Sequence, residues 1–276
     1  MHDHGSGAPF GPDQLLPAVV ATLTLAYIVL ALRAAAAGGG RWPVRRSAVF
    51  VVGAGLVLWA LTGPLAANDT FAAHMAMHLL VGMLGPFLMV LGAPMRLLLR
   101  WGPRPWRSRI GALLHARPFR FVAHPVVALI LAVGLLPVVY ATPLYSAATA
   151  SAWGHAALHA HFLASGYLFA WVICGPDPAP ARPSVPARLV VLGVAVAVHA
   201  TVSQLMYAGF FPADVEPVDL RRGATLMYYG GDLVELALVL VLVTQWRPGR
   251  GPRQPQLRPA RRGVGQGRRV RPLTCD

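Results

Sequence analysis

The chain has ten histidines among its 276 residues, and several recur at helical spacing. In WGHAALHAHF, His155 and His159 stand four residues apart, so on a helix they share one face and reach the same ion. HMAMH repeats that spacing with His74 and His78; Met77 lies on the same face and Met75 at its edge. Further on, His199 shares a face with Ser203 and Met206, and Tyr228, Asp232 and Glu235 form a similar stripe. Imidazole, thioether and carboxylate are donors for a first-row metal, and this mixture leans toward copper, particularly Cu(I). Zinc is the alternative, since three histidines, or two with a carboxylate, hold it with one position open. The competing reading is that these histidines only hydrogen-bond between helices. His161, about 200° around the helix from His159, faces elsewhere.

The elements that must position these residues are apolar. Hydrophobic residues make up 56% of the chain and charged ones 12%, more apolar side chain than one soluble core hides. Runs of spanning length, for roughly 30 Å of hydrocarbon, cover residues 15–32, 47–66, 71–91, 121–140, 153–174, 187–208 and 224–246. The expected fold is therefore all-α: a polytopic membrane protein of seven transmembrane helices occupying residues 14–246, with a short outer segment 1–13 before it. Residues 247–276 read as a disordered basic cytoplasmic tail, rich in proline, glycine and arginine. Positive charge follows the first apolar run at Arg33 instead of preceding it, which argues for a spanning helix over a cleaved signal peptide.

Charge sets the expected orientation. The net charge is +14 and all of the basic residues are arginine. With the N-terminus outside and the C-terminus in the cytoplasm, every arginine except Arg221 and Arg222 falls on the cytoplasmic side, the positive-inside pattern. Topology accounts for the arginine blocks, so nucleic acid is not an expected partner; the tail reads first as solvated with no specific partner, and second as lying against anionic membrane lipids. The place implied is the bacterial cytoplasmic (inner) membrane. Cys174 and Cys275 lie too far apart for a CxxC site.

Orientation gathers the polar stripes into one layer. His74 and His78 lie in the first two turns of the third span, and His155 and His159 lie at the same depth in the fifth. His199 is about 14 Å below the outer end of the sixth at 1.5 Å per residue, and Asp232 is eight residues into the seventh. A four-helix metal site of His74, Met77, His78, His155, His159, His199 and Asp232 is expected, with Met75, His161, Met206, Tyr228 and Glu235 in support. His2 and His4 are a weaker outer pair; His115 and His124 read as interfacial, Met83 and Met89 as packing, and Cys174 as too deep. Pro86 predicts a kink in the third span, which Gly92-Ala93-Pro94 ends.

Across most of its length the chain resembles the CtaG family, seven-helix assembly factors of caa-type cytochrome c oxidase. The resemblance is carried by HMAMHLLVGMLGPFLMVLGAP, HAALHAHFLASGYLFAWVICGPDP, the region around His199, and DLRRGATLMYYGGDLVEL. His74 and His78, then His155, His159 and His161, then His199 fit its histidine pattern, and Asp219 fits the acidic residue before the last span. Arg221, Arg222 and Met227-Tyr228 depart from it. The resemblance implies a non-enzymatic role: delivery of copper to the CuB centre of the oxidase catalytic subunit, with a copper donor protein as a second partner. Two other classes compete. A zinc-dependent membrane hydrolase would use Asp232 or Glu235 as general base, although no HExxH motif is present. A haem-binding redox protein would use histidines from facing helices as axial ligands.

Overall fold

The computed structural model describes residues 11–37, 42–180, 182–212 and 214–246. His2 and His4, most of the outer segment 1–13, and the whole tail 247–276 lie outside the described residues. Among the described residues every regular element is helical. α1 (Pro12–Ala36) and α2 (Val44–Thr62) come first, each opening beside a proline, whose fixed φ suits a first turn. α3 (Phe71–Met77) runs into a π-helical segment, His78–Leu84, and then α4 (Gly85–Leu91). Pro86 explains that change: it supplies no N–H to the Gly82 carbonyl and its ring crowds it, so the preceding turn widens. The kink expected at Pro86 is thus taken up as a π segment that begins at His78.

Ala93, with φ 54°, breaks the helix before α5 (Pro94–Trp101). α6 (Arg104–His115) and α7 (Arg117–Val122) follow and bury no residue. The next apolar helix repeats the proline device: α8 (Pro125–Leu129), a π segment at Ile130–Gly134 and α9 (Leu135–Ala141), with Val133 four residues before Pro137. The short α10 (Leu144–Thr149) leads to α11 (Ala152–Cys174), α12 (Val185–Tyr207) and α13 (Pro217–Thr244).

Among the described residues, six helical stretches are long and apolar enough to cross a membrane: α1, α2, the broken helix Phe71–Trp101, α11, α12 and α13. The expected fourth span, Pro125–Ala141, is shorter than these. Its sequence-based start at Phe121 fails because Phe121 belongs to α7, and the residue before Pro125 is disfavoured in the α region. α13 also begins seven residues earlier than its apolar run, since Pro217 and the polar turn around Asp219 start the helix under a Glu216 cap.

Two buried or half-buried carboxylates tie the elements together across long sequence separations. Asp219 accepts from the backbone N–H groups of Phe71 (2.6 Å) and Ala72 (3.2 Å), binding the start of α13 to the N-terminus of α3. Asp177, beyond the end of α11, accepts from Met95 and Arg96 N–H groups, each at 2.9 Å, at the N-terminus of α5. Both place negative charge where helix N–H groups lack partners. Burial raises the Asp177 carboxyl above its ordinary value, opposed by those two backbone donors.

Candidate metal centre

Two helices bring three imidazoles together. His74 on α3 and His155 and His159 on α11 each offer a ring nitrogen, and these nitrogens lie within 4.8 Å of one another. His74 and His159 are buried while His155 is half-buried, so the cluster has an accessible edge. The His155 and His159 rings meet edge to face with centroids 4.3 Å apart, and His74 is 6.4 Å from the first and 6.1 Å from the second. His159 Nε2 is buried without a hydrogen-bond partner among the described residues. His74 Nε2 lies 3.1 Å from the Tyr140 hydroxyl on α9, and its ring stands edge to face with Tyr145 at 5.1 Å. In the tautomer whose Nε2–H donates to the Tyr140 hydroxyl, His74 Nδ1 is the nitrogen with a free lone pair. Nitrogens that share an ion at about 2 Å lie at most about 4 Å apart, close to the spacing of these three.

The remaining predicted residues do not all join this cluster. His78 opens the π segment one turn below His74, against Phe162 at 4.6 Å, and pairs instead with His199 on α12, ring centroids 6.3 Å apart. His199 Nδ1 is 3.6 Å from Glu235 Oε1 on α13. The expected single layer is therefore two tiers, one of His74, His155 and His159 and one of His78, His199 and Glu235. The carboxylate beside the histidines is Glu235; Asp232, one turn earlier on α13, is only half-buried.

Met75 and Met206 are fully buried in an apolar cluster with Phe71, Val202 and Met227. Met77 is buried at the end of α3, and Tyr228 packs edge to face on Tyr229. His161 donates from Nε2 to the Leu131 carbonyl at 3.0 Å, in the π segment of the neighbouring helix, consistent with its expected direction away from His159. Of the other histidines, His124 caps α8 through Nδ1 and His115 is exposed. Met83 and Met89 pack in the core, and Cys174 is buried at the far end of α11.

Sequence reasoning missed the groups that shape the tiers. Tyr140 and Tyr145 lie on an apolar helix and in a short linking helix, with no polar stripe to mark them. Two glycines have stronger signatures. A side chain at Gly166 would collide with the Gly82 carbonyl, so only glycine lets α11 cross the π segment that closely. A methyl group at Gly231 would fall on the His199 ring; the Gly230-Gly231 pair in an apolar helix was the available clue.

Residues 25–248 match the family described as cytochrome c oxidase caa3 assembly factor (Caa3_CtaG). The chain belongs to that family. It is also similar to the uncharacterized protein Mb0105 of Mycobacterium bovis, 34% identical over 256 residues covering 85% of this chain and 39% of the relative. The uncharacterized protein ML1998 of Mycobacterium leprae is 31% identical over 259 residues, with the same coverage of 85% and 39%. The Caa3_CtaG chain thus spans about two fifths of the length of these curated relatives. No solved structure matches it. Both histidine tiers fall inside the residues that carry the family match.

Proposed function

We propose that this Caa3_CtaG chain binds copper as cargo on His74, His155 and His159 and passes it to the CuB centre of the cytochrome c oxidase catalytic subunit, without catalytic turnover. The carrying observation is the three-imidazole cluster with one half-buried member. Three neutral nitrogens hold Cu(I), and an accessible edge suits an ion that must be released. Met77, buried between the turns of His74 and His78, is a candidate thioether for the same ion. A copper donor protein would load the site from outside.

In this reading seven helices cross the bacterial inner membrane with the N-terminus outside and the C-terminus in the cytoplasm. Pro125–Ala141 is the fourth and shortest of them, and the arginine distribution supports the orientation. The histidine cluster then opens toward the outer face.

Three histidines are also a zinc donor set with one open position, so a zinc-dependent hydrolase is the second reading. Zinc that survives dialysis would favour it. A haem between His78 and His199 fits less well, because the cavity they line is about 40 Å³ and pockets for such ligands run to several hundred Å³.

Deleting the gene and measuring oxidase activity with and without added copper tests the proposal. Loss of activity that copper restores is the expected result. Unchanged oxidase activity in the deletion strain contradicts it.

A further inference from the structure

The second tier has features of its own. His78, His199 and Glu235 come from three different helical elements and line one cavity of about 40 Å³ between α11, α12, α13 and the first π segment. All three side chains are buried, at 4%, 1% and 4% exposure. His78 Nδ1, both ring nitrogens of His199, and Glu235 Oε2 find no hydrogen-bond partner among the described residues. Buried polar atoms are ordinarily satisfied, and a group of orphans around one space marks a site where something polar binds.

The donor chemistry narrows what binds. Two imidazoles and one carboxylate make a transition-metal set. A metal–imidazole bond of about 2 Å puts the ion about 3 Å from each ring centre, which the 6.3 Å separation of the His78 and His199 rings admits. The cavity is also large enough for an ion with a water, since about 10–15 Å³ accommodates one water. The backbone is shaped around these rings. His78 stands at the first residue of the π segment, a deformation often found at functional sites, and Gly231 leaves room for the His199 ring.

We infer that His78, His199 and Glu235 form a second metal-binding position, distinct from the His74, His155 and His159 cluster, which takes the same copper ion one turn deeper in the bundle. The inference rests on the reading of the outer cluster as a copper site. His74 and His78, successive turns of one helix, stand on either side of the step, so copper moves between two histidine sets without leaving protein ligands.

The test is anaerobic titration of the purified full-length chain in detergent with Cu(I) against a chromophoric chelator. The wild type is expected to bind two equivalents. His159→Ala should retain the deeper one and His199→Ala the outer one. Glu235→Gln and Gly231→Ala keep every imidazole, and each should weaken one equivalent about tenfold, the scale of a disturbed metal environment, while the other is unchanged. Retained helical circular dichroism and monodisperse elution show that each variant is folded; Glu235→Gln, which keeps the volume of the side chain, decides the matter if His199→Ala is not. A single wild-type equivalent that survives His199→Ala overturns the second position and leaves the outer site standing. A single equivalent abolished by both His159→Ala and His199→Ala also overturns it, because one ion then uses both tiers. No binding by the wild type overturns both readings.

Discussion

The Tyr140 hydroxyl and His74 Nε2 lie 3.1 Å apart in a buried setting that joins α9 to α3. This contact engages one nitrogen of the only outer-tier histidine that α11 does not supply, and so fixes which way the ring is turned. Groups that orient a ligand in this way typically matter by about 10- to 100-fold in metal affinity. Tyr140→Phe should therefore weaken Cu(I) binding at the outer cluster about tenfold while preserving stoichiometry, measured by chelator competition.

Gly166 and Gly82 set the crossing of α11 and the π segment. Gly166→Ala puts a methyl group against the Gly82 carbonyl, a backbone atom that cannot rotate away. Forced separation of packed elements costs about 1–3 kcal/mol. The variant should unfold at lower temperature in detergent and lose metal affinity together, since the same crossing positions His78 and His159.

Asp219 holds two N–H groups at the start of α3, one turn above His74. Asp219→Ala removes both acceptors and the favourable charge at a helix N-terminus. By the scale of lost caps this costs about 1–2 kcal/mol, read as a lowered midpoint of thermal unfolding. Asp219→Asn keeps an acceptor and should fall between the variant and the wild type.

Asp177 predicts a dependence on pH. Its carboxyl is raised in the folded chain by burial, so between the unfolded value, about 4, and the folded one the native state holds a proton that the unfolded state has released. Stability then falls as pH rises through that window, because the unfolded state binds fewer protons. Thermal unfolding from about pH 4 upward should show this slope, and Asp177→Asn should reduce it.

Much of the architecture is legible from apolar run length, and the histidine stripes from their three- and four-residue spacing. His155 and His159 lie on one face, and His161 turns away, as 100° per residue requires. Depth was less legible. Counting residues from apolar ends placed His78 and His159 in one layer, whereas the helix crossing set by Gly82 and Gly166 and the π segment at His78 separates the histidines into two tiers. Periodicity cannot register a π segment, which shifts helical phase within a continuous apolar run. Asp232 and Glu235 are a separate case, since α13 is an uninterrupted α-helix. Both lie on one stripe, and only the packing of α13 against His199 selects Glu235. Tyr140 was hidden because a hydroxyl on an aromatic ring leaves no mark on an apolar pattern.

In the proposed function the copper is held by the imidazoles of His74, His155 and His159. X-ray absorption at the copper edge, on protein loaded with one equivalent of Cu(I), reads the ligands directly. The expected result is a first shell dominated by nitrogen at about 2.0 Å with the outer-shell scattering of imidazole rings, diminished in His155→Ala and His159→Ala. A first shell dominated by sulfur at about 2.3 Å, unchanged in those variants, would contradict it.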